Sequence, residues 1–237
     1  MERKDFLRSS LGFMSISAVL TEACRKDVTG TTTATGDCIV APAEVEGPYP
    51  YVGGELTNPL QRTDITAGQT GLPLTLTFTI ADAGNNCNPV PGARVDIWHC
   101  NKDGYYSGYG NQNGGVLGTQ NYVGQTWLRG YQLADANGEA IFTTVYPGWY
   151  QGRATHIHIE VFVNNILKKT TQITFPETIS DAVHTSGLYA AHGANSMRNA
   201  ADGILGNSAT DLANETVALT GDTTNGYTGT YSIGLSL

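Results

Sequence analysis

The chain has 237 residues, enough for one domain with a full core and more than a small β-sandwich requires. Its formal net charge is −8, and its 13 Lys and Arg residues form no basic cluster beyond the N-terminus, which argues against nucleic acid as a partner. Glycine is abundant at 29 residues and charged residues make up only 14%, the composition of a turn-rich β protein rather than a helical bundle.

Residues 1–24 read as an export signal. Arg3, Lys4 and Arg8 give a positive start, and the apolar run from Leu11 to Leu20 is too short to span a bilayer. The segment Arg3-Lys4-Asp5-Phe6-Leu7-Arg8 resembles a twin-arginine signal with Lys in the second position, a type that exports folded proteins. Cys24, after Thr21-Glu22-Ala23, resembles a lipoprotein cysteine, with an ordinary cleaved signal as the alternative. The expected location is therefore the periplasm or cell envelope, with a membrane tether through a lipidated Cys24. Residues 25–41 are rich in Thr and Gly in their first part and read as a tether, and residues 42–237 as the folded domain, beginning near Cys38. Among the remaining cysteines, Cys38 and Cys87 lie in loop-like surroundings and form the expected disulfide. Cys100 ends an apolar strand and is expected as a buried free thiol.

Six segments alternate with the two-residue period of a strand: Leu72–Ile80, Arg94–His99, Ala140–Val145, His156–Val163, Leu167–Phe175 and Tyr227–Leu235. Turn signals such as Pro91-Gly92, Asn137-Gly138 and Pro147-Gly148 separate them. Helical periodicity is weak, with one short helix or irregular loop expected within Asp181–Arg198. The expected class is all-β, a two-sheet β-sandwich with long loops that carry the site.

The chemistry concentrates in three places. His156 and His158 are two residues apart on a strand, so both imidazoles face one side while Ile157, Ile159, Val161 and Val163 turn toward the core. Two neutral imidazoles on one face can grip one metal ion, although such a pair is more often a surface accident. Tyrosines occur in two loops: Tyr105-Tyr106 after the strand ending at Trp98, and Tyr150 within Tyr146-Pro147-Gly148-Trp149-Tyr150. Loop tyrosines usually only pack, but a phenolate is a hard anionic ligand that suits a trivalent metal. His99, His184 and His192 show no spacing that ties them to the pair and read as structural or surface residues.

In combination, these segments resemble the intradiol ring-cleavage dioxygenases, the family of catechol 1,2-dioxygenase and protocatechuate 3,4-dioxygenase. Five ordered motifs carry the resemblance over about residues 44–180: Glu46-Gly47-Pro48-Tyr49, Trp98 to Tyr106, Pro147 to Tyr150, Arg153-Ala154-Thr155-His156-Ile157-His158, and Thr171-Gln172-Ile173-Thr174-Phe175. The resemblance implies non-haem Fe(III) held by Tyr106, Tyr150, His156 and His158. The spacing from Trp98 favours Tyr106 over Tyr105. It further implies Arg153 beside the substrate ring, Gln172 in the pocket, Tyr49 near the substrate mouth, and Tyr150 as the ligand that leaves and takes a proton. The implied reaction is cleavage of a catechol-type ring by O2 to a cis,cis-muconate-type diacid. Ala154 stands where the family usually has Pro, and the family's helical dimerisation region is not seen, so the resemblance implies no oligomeric state. The alternative is a lipid-anchored β-sandwich that binds a ligand without turnover. A zinc hydrolase is disfavoured, because zinc rarely takes phenolate.

Overall fold

The computed structural model describes residues 38–51, 54 and 60–237, all within the contact unit Ala34–Leu237. The export signal, Cys24 and most of the tether lie outside the described residues. The strand β1 (Pro73–Asp82) forms where Leu74, Leu76, Phe78 and Ile80 alternate with Thr75, Thr77 and Thr79. The apolar set is fully buried, as the two-residue period requires. β1 is the centre of one sheet. It pairs antiparallel with the two-residue β2 (Asn88–Pro89) and with β5 (Glu139–Val145), and parallel with β9 (Gly226–Leu235), which in turn pairs with β8 (Leu219–Asp222). The second sheet runs in the order β4 (Arg129–Leu133), β3 (Arg94–Trp98), β6 (His156–Val163), β7 (Ile166–Thr174), antiparallel throughout.

The core fills the space between the sheets. Leu74, Leu76, Phe78, Phe142 and Ile233 from the first sheet meet Val95, Ile97, Ile157, Ile159 and Ile173 from the second. Each fully buried side chain of this size stabilises the fold by about 1.5–3 kcal/mol through transfer from water. The architecture is the expected all-β sandwich.

Several sequence expectations need correction. The strands β4 and β8 were not expected. In β4 only Arg129 and Gly130 are buried and Leu133 is exposed, so no alternation is readable, and β8 is short and mostly exposed. The helix expected within 181–198 begins earlier, as α1 (Glu177–His184). Pro176 takes its N-cap position, where the missing N–H costs nothing, and Val183 is buried beneath it. A second helix, α2 (Ala209–Glu215), follows the Ser208 cap, whose Oγ accepts from Asp211 N at 2.9 Å. Residues 38–41 lie on the domain rather than in the tether. Cys38 is disulfide-bonded to Cys87, Val40 bridges Gly234, and Ala41 is buried in the core. Cys100 is the expected buried free thiol, with its pKa pushed up to about 12 by burial.

The core-averted face of the second sheet positions the site. Strand register puts Trp98 opposite His158, and His158 opposite Gln172, so the three share one row across β3, β6 and β7. Because the side-chain period is two, this row and the apolar row Ile97–Ile159 point to opposite faces.

Candidate active site

The Nε2 atoms of His156 and His158 lie 3.1 Å apart, and the Tyr106 Oη is 3.2 Å from each. All three side chains are buried. The imidazole of His156 is held in one tautomer. Its Nδ1–H donates to the Ala154 carbonyl at 2.6 Å, which leaves the Nε2 lone pair facing the other two atoms. The His158 ring is stacked on Trp98, with centroids 5.0 Å apart and planes 4° from parallel. Gly47 packs against its edge at φ +73°, where a Cβ would come within 2.9 Å of Cε1. The glycine is therefore required twice, by its backbone angle and by the imidazole it touches.

Tyr106 reaches the pair because its loop is tightly held. Asn101 folds the loop by accepting from the Asp103 and Tyr105 amides at 3.1 and 3.0 Å. Gln112 grips the Tyr106 peptide on both sides, accepting from its N–H and donating to its carbonyl, each at 2.7 Å. The neighbouring Tyr105 points elsewhere, donating to Gly118 O and accepting from Leu117 N.

The Tyr150 ring stands edge-on to Tyr106 and His156, at 5.7 and 5.6 Å between centroids. Its hydroxyl accepts from Arg153 Nη1 at 3.5 Å. Arg153 is buried. Its Nε donates to Asp202 Oδ2 at 2.9 Å, and its Nη2 donates to Gln172 Oε1 at 2.6 Å. The other end of the Gln172 amide donates to Val45 O at 2.8 Å. With a bond at each end of its amide, Gln172 braces Arg153. Tyr49 stacks on Tyr106, with centroids 4.6 Å apart and planes 24° from parallel. Its segment is fastened by Arg129, whose Nη1 donates to Tyr49 O and Pro50 O at 2.9 and 3.1 Å.

The electrostatics favour neutral donors. Burial, then the Arg153 charge, lowers the His156 pKa to about 3. Burial and the neighbouring His156 hold His158 well below the usual histidine range. Burial pushes the Tyr106 hydroxyl well above its ordinary value, so a phenolate at this position requires a cation beside it. Tyr150 is also raised, first by burial, with Arg153 opposing.

The residues fit a metal ion. Among the described residues no three His, Cys, Asp or Glu side chains converge, so any such site depends on the phenols. Donors about 2.1 Å from one ion and about 90–100° apart lie about 3 Å from each other, close to the spacing of Tyr106 Oη and the two Nε2 atoms. His158 Nδ1 has no partner among the described residues, so none of them fixes its tautomer. Three of the four expected ligand atoms thus converge, while the fourth, on Tyr150, is turned to Arg153.

The sequence reading missed Asp202, Gln112 and Arg129. Asp202 left one indirect signal: a buried Arg153 demands an anion. His99 is structural, with Nδ1–H donating to Cys100 O and Nε2 accepting from Thr144 Oγ1. His184 is buried under the Tyr150 loop, where its Nε2–H donates to Pro147 O, and His192 stacks on Trp149.

Known proteins bear on this arrangement. The family model described as dioxygenase matches residues 45–191. Catechol 1,2-dioxygenase 1 of Acinetobacter lwoffii is 28% identical over 149 residues, which cover 55% of this chain and 45% of that protein. Catechol 1,2-dioxygenase of Acinetobacter baylyi is 28% identical over 166 residues, or 61% and 50%. The chain spans about half the length of the curated relatives it matches. A solved intradiol ring-cleavage dioxygenase from Tetranychus urticae is 26% identical with a TM-score of 0.72, over 84% of this chain and 94% of that one. The family match spans well over half of the chain and contains all of the converging residues, and the chain belongs to the intradiol ring-cleavage dioxygenases.

Proposed function

We propose that this chain uses O2 to cleave a catechol-type ring between its two hydroxyl-bearing carbons, giving a cis,cis-muconate-type diacid that carries both oxygen atoms. The observation that carries the proposal is the buried convergence of Tyr106 Oη with the two histidine Nε2 atoms at 3.1–3.2 Å. Tyr106, Tyr150, His156 and His158 would hold iron(III). When bound, the iron supplies a Lewis acid that draws electron density from a catecholate ring and opens that ring to O2.

The chain's own residues do the rest. The Ala154 carbonyl keeps the His156 proton on Nδ1 and its lone pair on the site. Trp98 and Gly47 fix the plane of His158. In its phenolate form Tyr150 accepts a catechol proton, and the nearby Arg153 guanidinium stabilises negative charge that develops on the ring oxygens. The stack of Tyr49 on Tyr106 puts a further aromatic ring beside the site, a surface chemically suited to a planar aromatic substrate. Gln172 takes part by holding Arg153.

The test is an oxygen-electrode screen over substituted catechols, with product mass, 18O2 labelling and iron content. A colourless protein after full iron loading, or a yellow semialdehyde as the main product, would overturn the reading. Catechol binding without turnover would favour the binding-protein alternative.

We also propose export to the periplasm or cell envelope with a lipid tether at Cys24. The Cys38–Cys87 disulfide supports an oxidising compartment. Replacing Cys24 by Ser should release the chain from the membrane fraction, and continued tight association would refute lipidation.

A further inference from the structure

The segment that follows the family match folds back onto the site. Asp202 is almost completely buried, at 1% exposure, and four donors converge on its carboxylate. Oδ2 accepts from Arg153 Nε at 2.9 Å and from the Ala154 amide at 2.7 Å. Oδ1 accepts from the amides of Ile204 and Leu205 at 2.9 and 3.2 Å. Nearby, Asn195 Nδ2 donates to the Arg153 carbonyl at 2.8 Å. The loop between Tyr150 and His156 is therefore held from outside by residues of the 195–205 segment.

The connections continue inward. The N–H that binds Asp202 and the carbonyl that accepts the Nδ1–H of His156 both belong to Ala154, on the two peptide units that flank its Cα. The guanidinium that binds Asp202 through Nε presents Nη1 to Tyr150 and Nη2 to Gln172. With Nε and Nη2 both tied, Nη1 keeps one direction. Burial alone would raise the Asp202 carboxyl, but the Arg153 bond and the backbone N–H groups outweigh it. Its pKa falls below the usual range, so it remains an anion in the fold.

We propose that Asp202 is a positioning residue for the ring-cleavage reaction: it aims Arg153 at the ring oxygens and anchors the backbone of Ala154, whose carbonyl fixes the His156 tautomer. The inference rests on the proposed function above. Asp202 bonds to none of the expected ligand atoms, and it acts through Arg153 and Ala154. A guanidinium that loses its Nε anchor is free to turn, and a misplacement of about 1 Å can lower a rate on the order of 100-fold.

The experiment is a double-mutant cycle in the full chain with Asp202→Asn, Arg153→Met and the pair. Asp202→Asn should lower catechol turnover on the order of 100-fold with one iron per chain retained. In the Arg153→Met background the same change should cost on the order of 10-fold less than in the parent, because only the Ala154 contact is then left to lose. Equal losses in both backgrounds would overturn the proposal. A readout independent of turnover is the Arg153 Nε–H resonance in the iron-free full chain. It should be protected from exchange in the parent and lost in Asp202→Asn. A parent chain without that protected resonance would overturn the pairing itself. Asp202→Glu separates aim from charge: it keeps the anion but displaces it by a methylene, so it should behave like Asp202→Asn, and parent-like turnover would refute positioning. Should Asp202→Asn fail to fold, the double variant, which removes both charges together, is compared with Arg153→Met. A parent chain that takes up no iron would refute the proposed function and this inference with it. A parent that takes up iron and turns over, alongside an unaffected Asp202→Asn, would refute this inference alone.

Discussion

Glu215, the last residue of α2, is fully buried, with the Glu44 carboxyl beside it. Burial first, then the charges of Glu44 and Asp211, raise its pKa from 4.5 to about 8. Below about pH 4.5 the folded and unfolded chains both carry the proton, and Glu215 costs nothing. Between about pH 4.5 and 8 the unfolded chain releases the proton while the folded chain keeps it, so stability falls as pH rises and levels off above about 8. The gap of about 3.5 pH units, at 1.36 kcal/mol each, sets an upper bound of about 5 kcal/mol. Local relaxation and water penetration reduce such penalties, and about 2 kcal/mol is expected. Glu215→Gln keeps the shape and removes the ionisation. It should raise the Tm by about 4–8 °C at pH 9 and change it little at pH 4.5, taking about 2–4 °C per kcal/mol for a chain of this size. The assay is thermal unfolding of parent and variant across this pH range, read as the difference between them so that other titrating groups cancel. A difference that does not grow with pH, or a variant less stable at pH 9, would refute the burial argument.

Three further outcomes are expected. Tyr106→Phe should lose iron and visible colour, whereas Tyr150→Phe should retain most iron but fail to take a catechol proton, measured by iron stoichiometry and anaerobic catechol titration. Gly47→Ala should weaken iron binding on the order of 10-fold at a backbone cost of about 1–2 kcal/mol, since its Cβ would press on His158; chelator competition and thermal melts test this. Opening the Cys38–Cys87 bridge with a double Ser substitution should cost about 2–4 kcal/mol in denaturant unfolding, because the bridge closes a loop across 49 positions.

The parts of this molecule that were legible in sequence are those governed by local period. Leu72–Ile80 alternates so regularly that its buried face is fixed by the spacing of side chains along one strand. The same period of two places His156 and His158 on one face before any partner strand is known. β4 escaped notice because Arg129 is buried by hydrogen bonds to Tyr49 O, Pro50 O and Ser107 O, contacts that no local pattern encodes. α2 is only seven residues long and gains its place by packing, which outweighs a weak pattern.

The site divides in the same way. The expected donors come from a strand and two loops, and each could be found from its own neighbourhood. The residues that orient those donors could not, because their partners are remote in sequence: Asp202 lies 49 residues from Arg153, and Tyr49 lies 80 from Arg129. Physical chemistry still leaves a trace. A buried guanidinium and a buried imidazole with one proton each require a partner of known type, an anion for Arg153 and a carbonyl for His156. The sequence states that requirement, and only the fold shows that Asp202 meets the first directly and, through the N–H of Ala154, anchors the residue whose carbonyl meets the second. Donor identity in this site is therefore a local property, while donor orientation is a tertiary one. On the positioning role proposed for Asp202, a variant that keeps every residue the family resemblance names should still lose turnover when this carboxylate, which the resemblance does not include, is replaced.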